Sequence, residues 1–176
     1  LLVTTFPGAF ELTAAGNTLY FRVSGDSVNG VELWKSDSTG TALVRDIFPG
    51  AGNSFPQRFT AIGPTLYFVA DDGVNGFELW KSDGTDVSTV LVKDVRPGGS
   101  SGINPNDFHL IAVGTTLYFV ADDGVNGYEL WKSDGTDAGT VLVKNINIGM
   151  SGSFNTFFGF KAAAVDTTLY FIATGG

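Results

Sequence analysis

The residues best suited to chemistry lie in two acidic turns, Asp71-Asp72-Gly73-Val74-Asn75-Gly76-Phe77-Glu78 and its near copy Asp122–Glu129. Calcium takes roughly six to eight oxygen ligands from carboxylates, amides and carbonyls. Asp71, Asp72, Asn75 and Glu78 offer part of such a set, as do Asp122, Asp123, Asn126 and Glu129. Calcium is therefore the one cofactor these residue types suggest. The spacing is not that of an EF-hand, whose loop needs alternating acidic ligands and a terminal Glu. An ordinary hairpin explains the same residues, because Asp and Asn side chains bond nearby backbone N–H groups. The first copy, Ser24–Glu32, carries fewer candidate ligands.

Two other chemistries are weaker. Tyr20, Tyr67, Tyr118 and Tyr170, with Trp34, Trp80 and Trp131, could stack on sugars, but aromatics inside apolar strands usually fill a core. Phe77 and Tyr128, at the turn exits, are expected to be exposed and are the ligand-binding candidates. Gly98-Gly99-Ser100-Ser101-Gly102 matches the esterase pattern Gly-x-Ser-x-Gly, which needs a strand leading in and a helix leading out. Here it sits in a Pro/Gly/Ser linker, and the single histidine, His109, is expected at a strand edge. An enzyme would cluster unlike polar groups at one place, and no such cluster is visible in the sequence. Near-equal copies make near-equal surfaces, which suits multivalent binding.

The elements that must position these residues are repeats. Glu-Leu-Trp-Lys-Ser-Asp occurs at Glu32–Asp37, Glu78–Asp83 and Glu129–Asp134, each time after a Val-Asn-Gly turn. Thr65–Asp86 and Thr116–Asp137 differ only at Phe77 against Tyr128. Thr-Leu-Tyr-Phe returns at residues 18, 65, 116 and 168, which sets a unit of about 50 residues. The units run approximately over residues 10–48, 59–97 and 108–147, with a partial fourth over 158–176, in a single repeat domain spanning 1–176.

Each unit holds four strand candidates. In the second they are Phe59–Ile62, Thr65–Ala70, Phe77–Ser82 and Thr89–Val95, joined by Gly-bearing turns into an antiparallel meander. In Thr65–Ala70 both faces are apolar, so this strand is expected to be covered on both sides. Glu78 and Lys81 are expected near an edge of the sheet. Repeated four-stranded sheets covered on both faces predict an all-β, propeller-like fold. It has three full blades and a partial fourth, and the strand Leu1–Thr4 is a candidate to close the ring. An incomplete blade leaves a strand edge that invites self-association.

The net charge of −8 and only 16% charged residues argue against nucleic acid, which needs clustered Lys and Arg. No apolar run reaches the roughly 20 residues of a membrane-spanning helix. With no cysteine, disulfides and Cys-based zinc sites are excluded.

These motifs resemble a bacterial repeat family described by Glu-Leu-Trp-x-x-Asp-Gly-Thr-x-x-Gly-Thr. Asp83-Gly84-Thr85 and Asp134-Gly135-Thr136 match it, and Gly139-Thr140 completes the third copy. The second copy departs at Ser88-Thr89, and the first is shorter, Asp37-Ser38-Thr39-Gly40-Thr41. The resemblance implies a secreted or cell-surface repeat protein for adhesion, binding or assembly, with no reaction attached. The expected function is such a non-catalytic module, with a calcium-dependent, glycan-binding lectin as the alternative.

Overall fold

A computed structural model describes residues 8–26, 28–104, 109–148, 152–154 and 160–174. Leu1–Thr4 lies outside the described residues. No described residue is helical. The described residues form four antiparallel sheets in sequence order, none of which closes into a barrel.

The first sheet holds β1 (Ala9–Ala15), β2 (Thr18–Asp26), β3 (Gly30–Asp37) and β4 (Gly40–Arg45). The second holds β5 (Gln57–Ile62), β6 (Thr65–Asp71), β7 (Phe77–Ser82) and β8 (Val90–Lys93). The third holds β9 (Ile111–Val113), β10 (Thr116–Asp122), β11 (Tyr128–Ser133) and β12 (Val141–Lys144). The fourth is the pair β13 (Ala162–Val165) and β14 (Thr168–Phe171). Each four-stranded sheet is a meander whose neighbours in sequence are neighbours in space. The predicted strands are found in place. The last strand of the second unit is shorter than predicted, because residues after Lys93 leave the ladder for a loop.

Alternation along the second strand of each unit decides how the sheets stack. Leu66, Phe68 and Ala70 pack with Tyr20 and Leu33 of the first sheet. Tyr67 and Val69, on the opposite face, pack with Leu117, Phe119 and Ala121 of the third. Tyr118 and Val120 then face Leu169 of the fourth. The Leu of each Thr-Leu-Tyr-Phe block thus looks back to the preceding sheet and the Tyr looks forward. Trp80 and Trp131 fill the backward faces as well. The first strands of the sheets touch in series, β1 on β5, β5 on β9 and β9 on β13. Thr60 reinforces this line by donating to the Leu110 carbonyl at 3.0 Å.

The Asp-Gly-Thr turns interlock neighbouring units. A Cβ added to Gly84 would stand 2.8 Å from the Tyr20 hydroxyl and 3.5 Å from Lys35 Cδ, both in the preceding unit. Gly135 faces the Tyr67 hydroxyl in the same manner, and its carbonyl accepts from Lys81 Nζ at 2.7 Å. Burial, with the nearby Asp83 carboxylate, pushes the Tyr20 phenol up to about 12. The glycine of this motif is therefore required twice, by its positive φ of 93° and by the ring beneath it.

Gly63 provides the control, since it has a φ of 59° and open space around it. Gly63→Ala is expected to cost roughly 1–2 kcal/mol for the left-handed backbone alone. Gly84→Ala should cost a further ~1–3 kcal/mol from overpacking, part of which Tyr20→Phe restores. Urea unfolding of the three variants checks this, and equal costs at both glycines would refute the interlock.

Candidate functional site

The Glu of Glu-Leu-Trp is not near an edge, as its charge predicts. Glu32, Glu78 and Glu129 each have no solvent exposure. Each sits at the start of a third strand and reaches into the loop that leaves the fourth strand of the same unit. Glu32 accepts from the N–H groups of Ile47 (3.1 Å), Phe48 (3.2 Å) and Ser54 (3.2 Å), and from the Ser54 hydroxyl. Glu78 accepts from Val95 N–H at 3.1 Å and Gly102 N–H at 2.7 Å. Glu129 accepts from Ile146 and Asn147 N–H and from the Ser153 hydroxyl. A buried loop carries backbone donors that no sheet satisfies, and one carboxylate per unit gathers them.

The loops so held reach the next unit. The Phe48 ring lies against Gly73, and Arg96 lies over Gly124. Arg96 also pairs with Asp122 at 2.7 Å.

This arrangement divides the two proposed calcium sets. Asp71 accepts from Gly73 N–H. Asp72 accepts from Val74 N–H, Asn75 N–H and the Asn75 amide. Asp122 accepts from Gly124 N–H, and Asp123 repeats the Asp72 pattern with Val125 and Asn126. The Asn126 carbonyl oxygen accepts from Asn145 at 2.6 Å. Glu78 and Glu129 are turned inward to their loops, so neither acidic turn assembles the four residues named for it. Among the described residues no three His, Cys, Asp or Glu side chains group as a metal site. In both turns the Asp oxygens accept from turn amides, and in the second Arg96 also stands beside Asp122.

Phe77 and Tyr128 differ from expectation too. Both are half-buried and packed against core clusters. Their backbones carry the exit loops, with Ile103 N–H donating to the Phe77 carbonyl and Ser153 N–H to the Tyr128 carbonyl. Ser100 lies in a bend and no helix follows it among the described residues, so the esterase pattern is without its required setting there.

The remaining motif residues are likewise occupied. Asp37, Asp83 and Asp134 accept from the N–H and hydroxyl of the Thr two residues on. Ser82 pairs with Thr89 at 2.8 Å, and Ser133 with Thr140 at 2.7 Å, both buried. Shallow hollows of about 190 and 320 Å³ lie beside these turns in the second and third units, lined by Lys81 and Asp83 or by Lys132 and Asp134.

One position of the repeat carries unlike polar residues. Counting back from the repeated Leu-Tyr, Glu11, Arg58, His109 and Lys161 occupy one equivalent position in the four units. They stand on, or one or two residues before, the first strands that touch in series. Burial lowers the His109 imidazole pKa; Arg58 and Lys161 lower it further and Glu11 opposes them. Glu11 (φ 58°) and Arg58 (φ 61°) are left-handed at matching bulges in β1 and β5. The sequence reading missed this group because the four residue types differ. Aligning the units and looking for the column that does not repeat finds it.

No family model, curated protein or solved structure matches this chain.

Glu78→Ala leaves two buried N–H groups without acceptors, each worth roughly 1–3 kcal/mol. A loss of roughly 3 kcal/mol in urea unfolding is expected. Gln should restore only part of it, since its carbonyl oxygen can accept from one N–H while its amide nitrogen faces the other. The carboxyls also set a pH dependence. Burial pushes Glu32 and Glu78 up to about 7, outweighing the donors that pull them down. For a raised folded-state pKa, the stability contributed is full below about 4.5 and is lost as pH rises through about 7. The Asp turns act oppositely. Thr39 holds Asp37 down to about 2, and Ser88 and Thr85 lower Asp83, so their contribution is lost as pH falls below 3.8. The urea midpoint should therefore peak between about pH 4 and 6. A midpoint still rising at pH 8 would contradict this assignment.

Proposed function

We propose that the chain is a non-catalytic repeat module for binding and assembly, its sheets arranged as propeller-like blades. Its motifs resemble those of secreted or surface-displayed repeat proteins, which supports this reading.

One observation supports the blade arrangement: contacts between sheets run along their first strands, as they do when sheets converge on an axis.

The assembly reading is carried by the two outer faces. Leu66 and Leu117 look back to a preceding sheet and are fully buried, whereas Leu19 is 37% exposed and Leu12 64%. Tyr67 looks forward and is 7% exposed, whereas Tyr170 is 61% exposed and Ile172 72%. The exposed faces of the first and fourth sheets are the two halves of the contact made between each successive pair of sheets inside the chain. Strand β14 pairs with β13 alone among the described residues. A further unit of this kind, supplied by a second copy, satisfies both the apolar face and the strand edge.

Sedimentation equilibrium over a wide concentration range is expected to show reversible association. Leu19→Glu and Tyr170→Glu should each weaken it, because each spoils one half of the contact. A monomer at every concentration would end the assembly reading.

A further inference from the structure

Two internal junctions show how the outer half of one sheet receives the next unit. Val44 of the first sheet is 5% exposed and lies in one core cluster with Trp80 of the second. Val92 of the second sheet is 5% exposed and lies in another with Trp131 of the third. One residue further on, a cation reaches the next unit's turn. Arg45 stands 3.7 Å from the Asp86 carboxylate and donates to the carbonyls of Asp86 and Thr89. Lys93 pairs with Asp137 at 3.0 Å. Gly84 and Gly135 of the same turns lie on the hydroxyls of Tyr20 and Tyr67, and Lys81 donates to the Gly135 carbonyl. Each junction is thus a socket with three parts: a valine for Trp, a tyrosine for Gly, and a cation for the last Asp of Asp-Gly-Thr-Asp.

The third sheet carries the same three parts. Val143 is 43% exposed, Tyr118 is half-buried where Tyr20 and Tyr67 are buried, and Lys144 is exposed. Lys132, the counterpart of Lys81, is exposed too, beside the hollow of about 320 Å³. Among the described residues neither Lys132 nor Lys144 meets a carboxylate or a carbonyl. The other two sockets are filled by the third strand of the next sheet and its turn. The fourth sheet has, among the described residues, only the first two strand positions, β13 and β14.

The internal copies fix what fits. β6 and β10 pair with the following strand as Leu with Ser, Tyr with Lys and Phe with Trp. The same ladder sets Leu169, Tyr170 and Phe171 of β14 against Ser, Lys and Trp of an incoming strand. Charge selects the hairpin, because Lys144 calls for an acid at the fourth position of the turn. The first unit has Gly40 there, whereas the second and third have Asp86 and Asp137.

We infer that β14, with Tyr118, Lys132, Val143 and Lys144, forms a docking site for a β-hairpin of the form Glu-Leu-Trp-Lys-Ser-Asp-Gly-Thr-Asp contributed by another chain. Its strand extends the fourth sheet through main-chain hydrogen bonds. Its Trp covers Val143, and its turn lies on Tyr118 and meets Lys144. The inference rests on the reading of the chain as an assembly module and specifies the segment that the partner contributes.

A synthetic peptide of residues 76–103 is the probe, since it contains Glu78 together with its donors Val95 and Gly102. It is titrated into the isotope-labelled full chain at a concentration where sedimentation shows monomer. Saturable amide shifts are expected at Thr168–Phe171 and at Val141–Lys144. Trp80→Ala in the peptide should weaken binding by at least about tenfold. Lys144→Glu in the full chain changes an exposed side chain and should weaken binding by up to about fivefold. Asp86→Lys in the peptide should restore that loss. No saturable shift, shifts confined to the first sheet, or equal binding of the Trp80→Ala peptide overturns the site. Reversible self-association without peptide binding also overturns it and leaves the assembly reading standing. Peptide binding by a chain that is monomeric at every concentration supports the site and ends the assembly reading.

Discussion

A carboxylate with no access to water, ringed by backbone N–H groups, is the interaction on which this structure depends. Each complete unit has one, at Glu32, Glu78 and Glu129. Burying such a charge is costly unless hydrogen bonds replace its water. The donors come from a loop that would otherwise have nowhere to place them. One residue thus resolves two problems, its own desolvation and the unsatisfied loop. The loop in turn lays Phe48 or Arg96 against the next unit, so the carboxylate sets the spacing between sheets.

The same logic runs through the rest of the motif. Leu79 packs forward and Trp80 packs back. Lys81 reaches the Gly135 carbonyl, Ser82 meets Thr89, and Gly84 leaves room for Tyr20. A motif can repeat without marking an active site, because equal interfaces require equal residues. Chemistry that distinguishes one unit from another has to come from positions where the copies disagree.

That contrast explains what could be read from the chain alone. The four strands per unit and their stacking were legible, because Leu66 and Tyr67 alternate with period two and both are apolar. The fate of Glu78 was not. An acidic residue beside Asp71 and Asp72 reads as a ligand, and only the loop that folds back over it reveals its donors. Phe77 reads as exposed because it follows a turn, but residues 101–103 return to meet its backbone. The non-repeating column was the least legible: Glu11, Arg58, His109 and Lys161 share no residue type, are about 50 positions apart, and lie on or just before first strands that touch in series.

Strands β6 and β10 pair with β7 and β11 in the same register, Leu66 with Ser82 and Leu117 with Ser133. The two hairpins are chemically interchangeable, so a nascent chain could equally zip β6 onto β11. What opposes the exchange is chain entropy. The native turn leaves 5 residues between Asp71 and Phe77, whereas the exchanged one would leave 56 between Asp71 and Tyr128. The logarithmic closure law makes that difference about 2 kcal/mol. Fidelity between twin segments therefore rests on proximity along the polypeptide, and two chains meeting at high concentration during synthesis lose part of that protection.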